Sequence, residues 1–199
     1  MKRTILLLIS ICSISTAFSQ SISPGIRIGA NLSDWNVTGA SGTGLKTLSL
    51  TNPEIGVFVN FKTSRSFSVE PGVIFTTAGA TFKYDADETD FNLTYLQVPV
   101  LAKYNLSKRF TLFAGPQVGF LLKATAKTGA NDKEDAKTLF KKSDVEVSTG
   151  MQYNFPIGIS MGLKYATGLT AIYSTADEKI KNYSFGVNLA YQFRAAKRN

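Results

Sequence analysis

The chain contains no histidine and only one cysteine in its 199 residues. Without His it lacks the commonest catalytic base and the commonest metal ligand, which excludes ordinary hydrolytic triads and zinc sites. One Cys cannot form an internal disulfide. Charge is also sparse, at 18% of residues, and although the formal net charge is +8, no run of Lys or Arg marks a nucleic-acid groove. Beyond the first twenty residues no apolar run approaches the ~18 residues a membrane-spanning helix requires. What the chain does have is 14 Phe, 8 Tyr, one Trp and 16 Gly. So many aromatics beside so little charge argue against disorder, and the length fits one domain.

The first residues have the layout of a secretory leader. Lys2 and Arg3 give a positive start, residues 5–14 an apolar stretch, and Ala17-Phe18-Ser19 a small-x-small cleavage site. The expected division is a signal peptide over 1–19 and a single barrel domain over 20–199. Cys12 falls inside the leader, and the bulky Ile11 before it does not fit a lipoprotein site, so the mature chain is expected to be free of cysteine.

From Ser23 onward apolar residues recur at every second position, the signature of strands with one apolar face. At the C-terminal end Tyr183, Phe185, Val187, Leu189, Tyr191 and Phe193 alternate with Ser184, Gly186, Asn188, Ala190 and Gln192. Read this way, the chain holds eight strands near 23–37, 53–64, 67–84, 92–106, 110–128, 143–155, 158–173 and 181–193. Links alternate between short ones, at Ser64-Arg65-Ser66, Ser107-Lys108-Arg109 and around Pro156-Ile157, and longer ones over 38–52, 85–91, 129–142 and 174–180. This rhythm predicts an all-β fold, an eight-stranded antiparallel up-and-down transmembrane β-barrel with its short turns toward the periplasm.

A soluble lipocalin-like barrel shares strand number and alternation, but its second face would have to meet water. Here that face carries Gly, Ser, Asn, Gln and Ala, a thin coat for a soluble surface, so the apolar face is assigned to lipid. Inward parity then collects Arg27, Lys62, Glu70, Lys103, Lys123, Glu146 and Lys164. Eight strands enclose side chains and little else, and buried unpaired charge is costly, so these groups are expected to pair and plug the lumen. The competing use of the same residues is a cation-lined solute path. Lys123 and Glu146 are expected to form one such pair across the third long loop.

Phe61, Phe67, Tyr104, Phe110, Phe155 and Phe193 lie beside the short turns, where a periplasmic aromatic girdle belongs. Trp35, Phe82, Tyr95, Tyr173 and Tyr183 lie toward the long loops. The acidic segment Asp85, Asp87, Glu88, Asp90 lacks the glycine spacing of an EF-hand and reads as a solvated loop, so no metal or other cofactor is expected. The loop 131–142 places Leu139 and Phe140 among charges, an amphipathic turn suited to a partner contact.

The stretch TYLQVPVLAKYNLSKRFTLFAGPQVGFLL (94–122) resembles the central hairpin of the PorT-like outer-membrane β-barrel proteins of Bacteroidetes. IRIGANLS (26–33) is similar to their first strand and SFGVNLAYQF (184–193) to their closing strand. The resemblance implies a small eight-stranded outer-membrane barrel and supplies no catalytic residues. The family's eponymous member takes part in secretion across that membrane. One departure is RAAKRN after Phe193, since many outer-membrane barrels finish on the aromatic.

Two functional readings follow. The first is a closed outer-membrane barrel with outer-membrane lipid around it and a protein partner at its external loops. The second is a soluble periplasmic barrel carrying a lipophilic ligand. No nucleophile stands with a base, so an enzyme is not expected.

Overall fold

The structure is a computed structural model that describes residues 22–39, 46–84, 87–128, 134–174 and 178–193. Eight long strands follow one another: β1 Ile22–Gly39, β2 Lys46–Lys62, β3 Phe67–Tyr84, β4 Asp87–Asn105, β5 Phe110–Thr128, β6 Ser143–Asn154, β7 Ile159–Gly168 and β8 Glu178–Gln192. Each pairs antiparallel with the next, and β8 returns to β1 in a register running from Gly25↔Gln192 to Gly39↔Glu178. The eight long strands therefore close into a barrel, and two-residue strands at Glu134–Asp135 and Tyr173–Ser174 pair with β5 and β8 at the other end from the tight turns. Three tight turns, at 63–66, 106–109 and 155–158, mark one end; Gly158 holds φ +86 in the last of these, a conformation glycine adopts without steric cost.

Over the turn-end two thirds of the barrel, alternation sets the two faces. Met161, Leu163, Val187 and Leu189 are each about half exposed on the outside, while Lys164 and Asn188 are buried inside. A row of outward apolar side chains around a polar bore is the inverse of a soluble barrel.

Strands β1 to β5 are 17 to 19 residues long. About 9–11 tilted residues suffice to cross a bilayer, so these strands continue past the apolar band at the loop end. There the pattern inverts: Asn36, Thr38, Ser49, Lys123 and Lys179 are exposed, while Trp35, Ala80, Leu93, Ala124 and Ile180 are buried. The inversion explains where the structure departs from the sequence reading. β2 begins at Lys46 rather than 53 and β4 at Asp87 rather than 92, because beyond the apolar band a strand needs no outward apolar row. The acidic segment is accordingly strand and not a long loop; Asp85 lies outside the described residues, and Asp90 accepts from Thr81 Oγ1 of the neighbouring strand. β7 ends at Gly168, short of 173.

A second departure is a bulge in β5. Thr94 faces Lys123 but Tyr95 faces Leu121, which leaves Leu122 as an extra residue. Below it Thr111, Phe113, Gln117, Gly119 and Leu121 are buried; above it Ala124 is buried instead. Lys123 is thereby turned outward and exposed.

Candidate functional site

The bore can be followed in layers from the turn end. Lowest is a polar mouth, a cavity of about 180 Å³ lined by Asn60, Lys62, Asn105, Gln152 and Gln192 among others, with Lys103 at its floor. Lys62 is exposed at this mouth and not enclosed in the lumen.

The next layer is ionic. Arg27 Nη2 reaches Glu70 Oε1 at 2.6 Å, Lys103 donates to Glu70 Oε2, and Lys103 also donates to Gln152 Oε1 at 3.0 Å. The Phe58 ring lies 5.2 Å from the Arg27 guanidinium carbon and 5.7 Å from Lys103 Nζ, so both cations face its π surface. That ring has room because residue 25 is glycine: a Cβ there would come within 2.2 Å of Phe58 Cζ. Above it Lys164 Nζ donates to Glu54 Oε2 at 2.6 Å, across the bore from β7 to β2, and Asn31 Nδ2 donates to the same oxygen at 2.8 Å.

Glu146 sits higher still. Its Oε2 accepts from Gln97 at 3.2 Å and from Gln117, whose own Oε1 accepts from Ser148 at 2.6 Å. Asp144, on the same face of β6, accepts from Asn182 at 2.7 Å and Thr170 at 3.2 Å. The void beside Asn31, Ser33, Gln97, Glu146, Lys164 and Asn182 is about 10 Å³, room for one water.

The predicted Lys123–Glu146 pair does not form. Glu146 faces Gln117 across the β5–β6 register, six residues below Lys123, and the bulge has put Lys123 on the opposite face. Glu146 is held by amides, and among the described residues no cation lies within ion-pairing distance of it.

The loop end is capped by apolar side chains. Trp35, Leu93, Tyr95, Leu121, Phe140, Ile172 and Ile180 are buried together, with Phe91 and Tyr173 packed against them. Trp35 lies 5.6 Å, ring to ring, from both Phe91 and Phe140. Phe140 follows a single 3₁₀ turn, Lys137–Leu139, and the chain around it is tied down by Leu121 N–H to Lys142 C=O at 2.8 Å and Lys141 N–H to Ile172 C=O at 2.8 Å. The pair Leu139 and Phe140 is thus split: Phe140 enters the barrel, and Leu139 alone stays exposed. Trp35 and Tyr95 likewise fill the barrel and do not form an outer girdle.

At the turn end Phe67, Tyr104, Phe110, Phe155 and Phe193 point outward and Phe61 is half-buried. Phe67 pairs directly with Tyr104 across the strands. Tyr153, not among the predicted girdle residues, stacks edge-on between Phe110 at 5.1 Å and Phe155 at 4.9 Å, and Tyr191 does the same beside Phe193 at 5.1 Å. On the outer wall a shallow apolar depression of about 530 Å³ runs between Leu112, Met151, Leu163 and Phe185.

Residues 18–174 match the family described as outer membrane protein beta-barrel domain. The chain belongs to that family. Outer-membrane barrels therefore supply its frame: the outward apolar row meets lipid, and the soluble lipocalin-like alternative is set aside by a polar bore inside an apolar wall. Among solved structures, neisserial surface protein A is similar over 85% of this chain and 97% of its own, at 10% identity and a TM-score of 0.57. Ail, the attachment invasion locus protein of Yersinia pestis, solved with the heparin analogue sucrose octasulfate, is similar over 87% and 99% at 14% identity and a TM-score of 0.48. OprG of Pseudomonas aeruginosa is similar over 88% and 98% at 13% identity and a TM-score of 0.46. No curated protein matches the sequence.

Proposed function

We propose that this outer-membrane barrel is a closed platform that presents its loop end to a partner outside the cell. The observation that carries the reading is the cap. Loop residues Phe140 and Ile172 pack into the outer end of the bore and leave Leu139, Leu169, Lys141 and Lys142 exposed beside it. In the same reading the charges of the bore act as a structural plug, the turn-end aromatics form the periplasmic interfacial girdle, and residues 1–19 are a secretory leader. No enzymatic activity is assigned, since the Lys and carboxylate groups of the bore are engaged with one another or with amides. The hairpin 94–122 supports placing the chain among the PorT-like barrels of Bacteroidetes, where contact with a secretion assembly is one form the partnership takes.

The reading is tested by labelling. With the sole Cys in the leader, Lys141→Cys and Lys108→Cys each introduce one thiol, at the loop end and the turn end. A membrane-impermeant maleimide is expected to label Lys141→Cys in intact cells and Lys108→Cys only after permeabilisation. The reverse pattern would place the cap in the periplasm and end the proposal.

A further inference from the structure

Charge in the bore is segregated by height. Above the Lys164–Glu54 pair stand the carboxylates of Asp144 and Glu146; below it Arg27 and Lys103 share the single carboxylate of Glu70. The lower layer thus keeps an excess positive charge directly behind the floor of the 180 Å³ mouth. Lys62 adds another at the lip, and among the described residues it has no ion-pair partner. The surrounding turns add Arg65, Lys108 and Arg109, all exposed, while no exposed acid occurs at this end among the described residues.

The cavity wall is built to match. It consists of amide, hydroxyl and ammonium groups and contains no carboxylate. Lys103, Asn60 and Gln152 are more than nine-tenths buried there. The Lys62 ammonium and the Gln192 side-chain amide have no hydrogen-bond partner among the described residues, so both are free to donate into the cup. The ionic layer and the Phe58 ring close the cup from above, which makes it a blind site.

We propose that the periplasmic mouth of the barrel binds a small oxyanion of the phosphate class, held between the Lys62 ammonium, the Gln192 amide and the floor at Lys103. Such a ligand supplies several acceptors for donors in a cationic cup, and bidentate or charge-assisted contacts of this kind are the strong ones. The cationic turns raise the local concentration of anions at the entrance. The phosphate is free in the periplasm or belongs to the headgroup of an inner-leaflet phospholipid.

The test is calorimetric titration of inorganic phosphate into the full barrel in non-ionic maltoside detergent, with sodium chloride at matched ionic strength as control. Saturable binding at one site is expected, weakened about tenfold by Lys62→Gln and again by Gln192→Leu. Both substitutions lie at the open lip, and heat-modifiable migration on gels checks that each variant is folded. Leu139→Ser, at the opposite end, is expected to leave phosphate binding unchanged, so failure of the outer-platform reading would not imitate failure here. Repeating the titration in phosphatidylglycerol nanodiscs separates the sources: phosphate affinity falls there if the lipid headgroup is the ligand, and equals that in phosphate-free maltoside detergent if a soluble anion is. Absence of saturable binding, or binding undiminished in Lys62→Gln, would overturn the proposal.

Discussion

Lys164 and Glu54 are 110 residues apart in sequence and meet at 2.6 Å inside the barrel. Each is almost fully enclosed, so removing one partner strands the other's charge among groups that cannot solvate it. Lys164→Met is expected to cost about 3 to 5 kcal/mol, while the double change with Glu54→Gln recovers most of that loss. Denaturant unfolding in lipid vesicles measures both; additive single effects would contradict the pairing. Lys123→Met is expected to leave stability unchanged, because its side chain is exposed beyond the bulge. Parity made Arg27, Glu70, Lys103 and Lys164 legible as inward residues. It would equally have found Glu54, which shares the parity of Lys62, and Asp144, which shares that of Glu146. Asp34 gave no such signal: it is buried off the parity of Arg27, accepting from the Trp35 N–H at 2.7 Å and from Ser49 and Tyr183 hydroxyls.

At the scale of elements, strict alternation carried the reading as far as lipid enforces it. A bilayer demands apolar side chains outside, and β8 shows that demand in every second residue from Tyr183 to Tyr191. Past the bilayer the rule reverses, which is why the outer parts of β2 and β4 read as loop, and one inserted residue at Leu122 suffices to exchange the faces of β5. The cap was illegible for a related reason. Phe140 and Leu139 are adjacent apolar residues in a charged loop, and only the tertiary register of Lys141 with Ile172 decides which of them enters the barrel. Truncating the buried one is expected to matter. Phe140→Ala removes a ring packed against Trp35, Phe91 and Tyr173, a loss of about 3 to 5 kcal/mol if the site does not collapse. Hydrogen exchange is expected to accelerate at 136–142 while β5 to β8 stay protected, since the cap can open without the barrel. Leu139→Ala is expected to leave exchange there unchanged; the opposite ranking would invert the assignment.

The molecule as a whole is an apolar cylinder around a filled bore, and its orientation in lipid follows from the outward row. Leu163 lies midway up β7, exposed between Met151 and Val187 of the neighbouring strands. Leu163→Arg is expected to cost about 2 to 4 kcal/mol in a bilayer. The same folding titration in vesicles would show no loss if that face were turned to water. Inside, two ionic layers, an amide-bound carboxylate layer and an apolar cap leave no wide passage through eight strands. The most direct measurement is planar-bilayer recording of the purified single barrel. A silent membrane, without stable conductance steps, is the expected result; reproducible porin-like steps from a verified folded barrel would contradict the closed lumen.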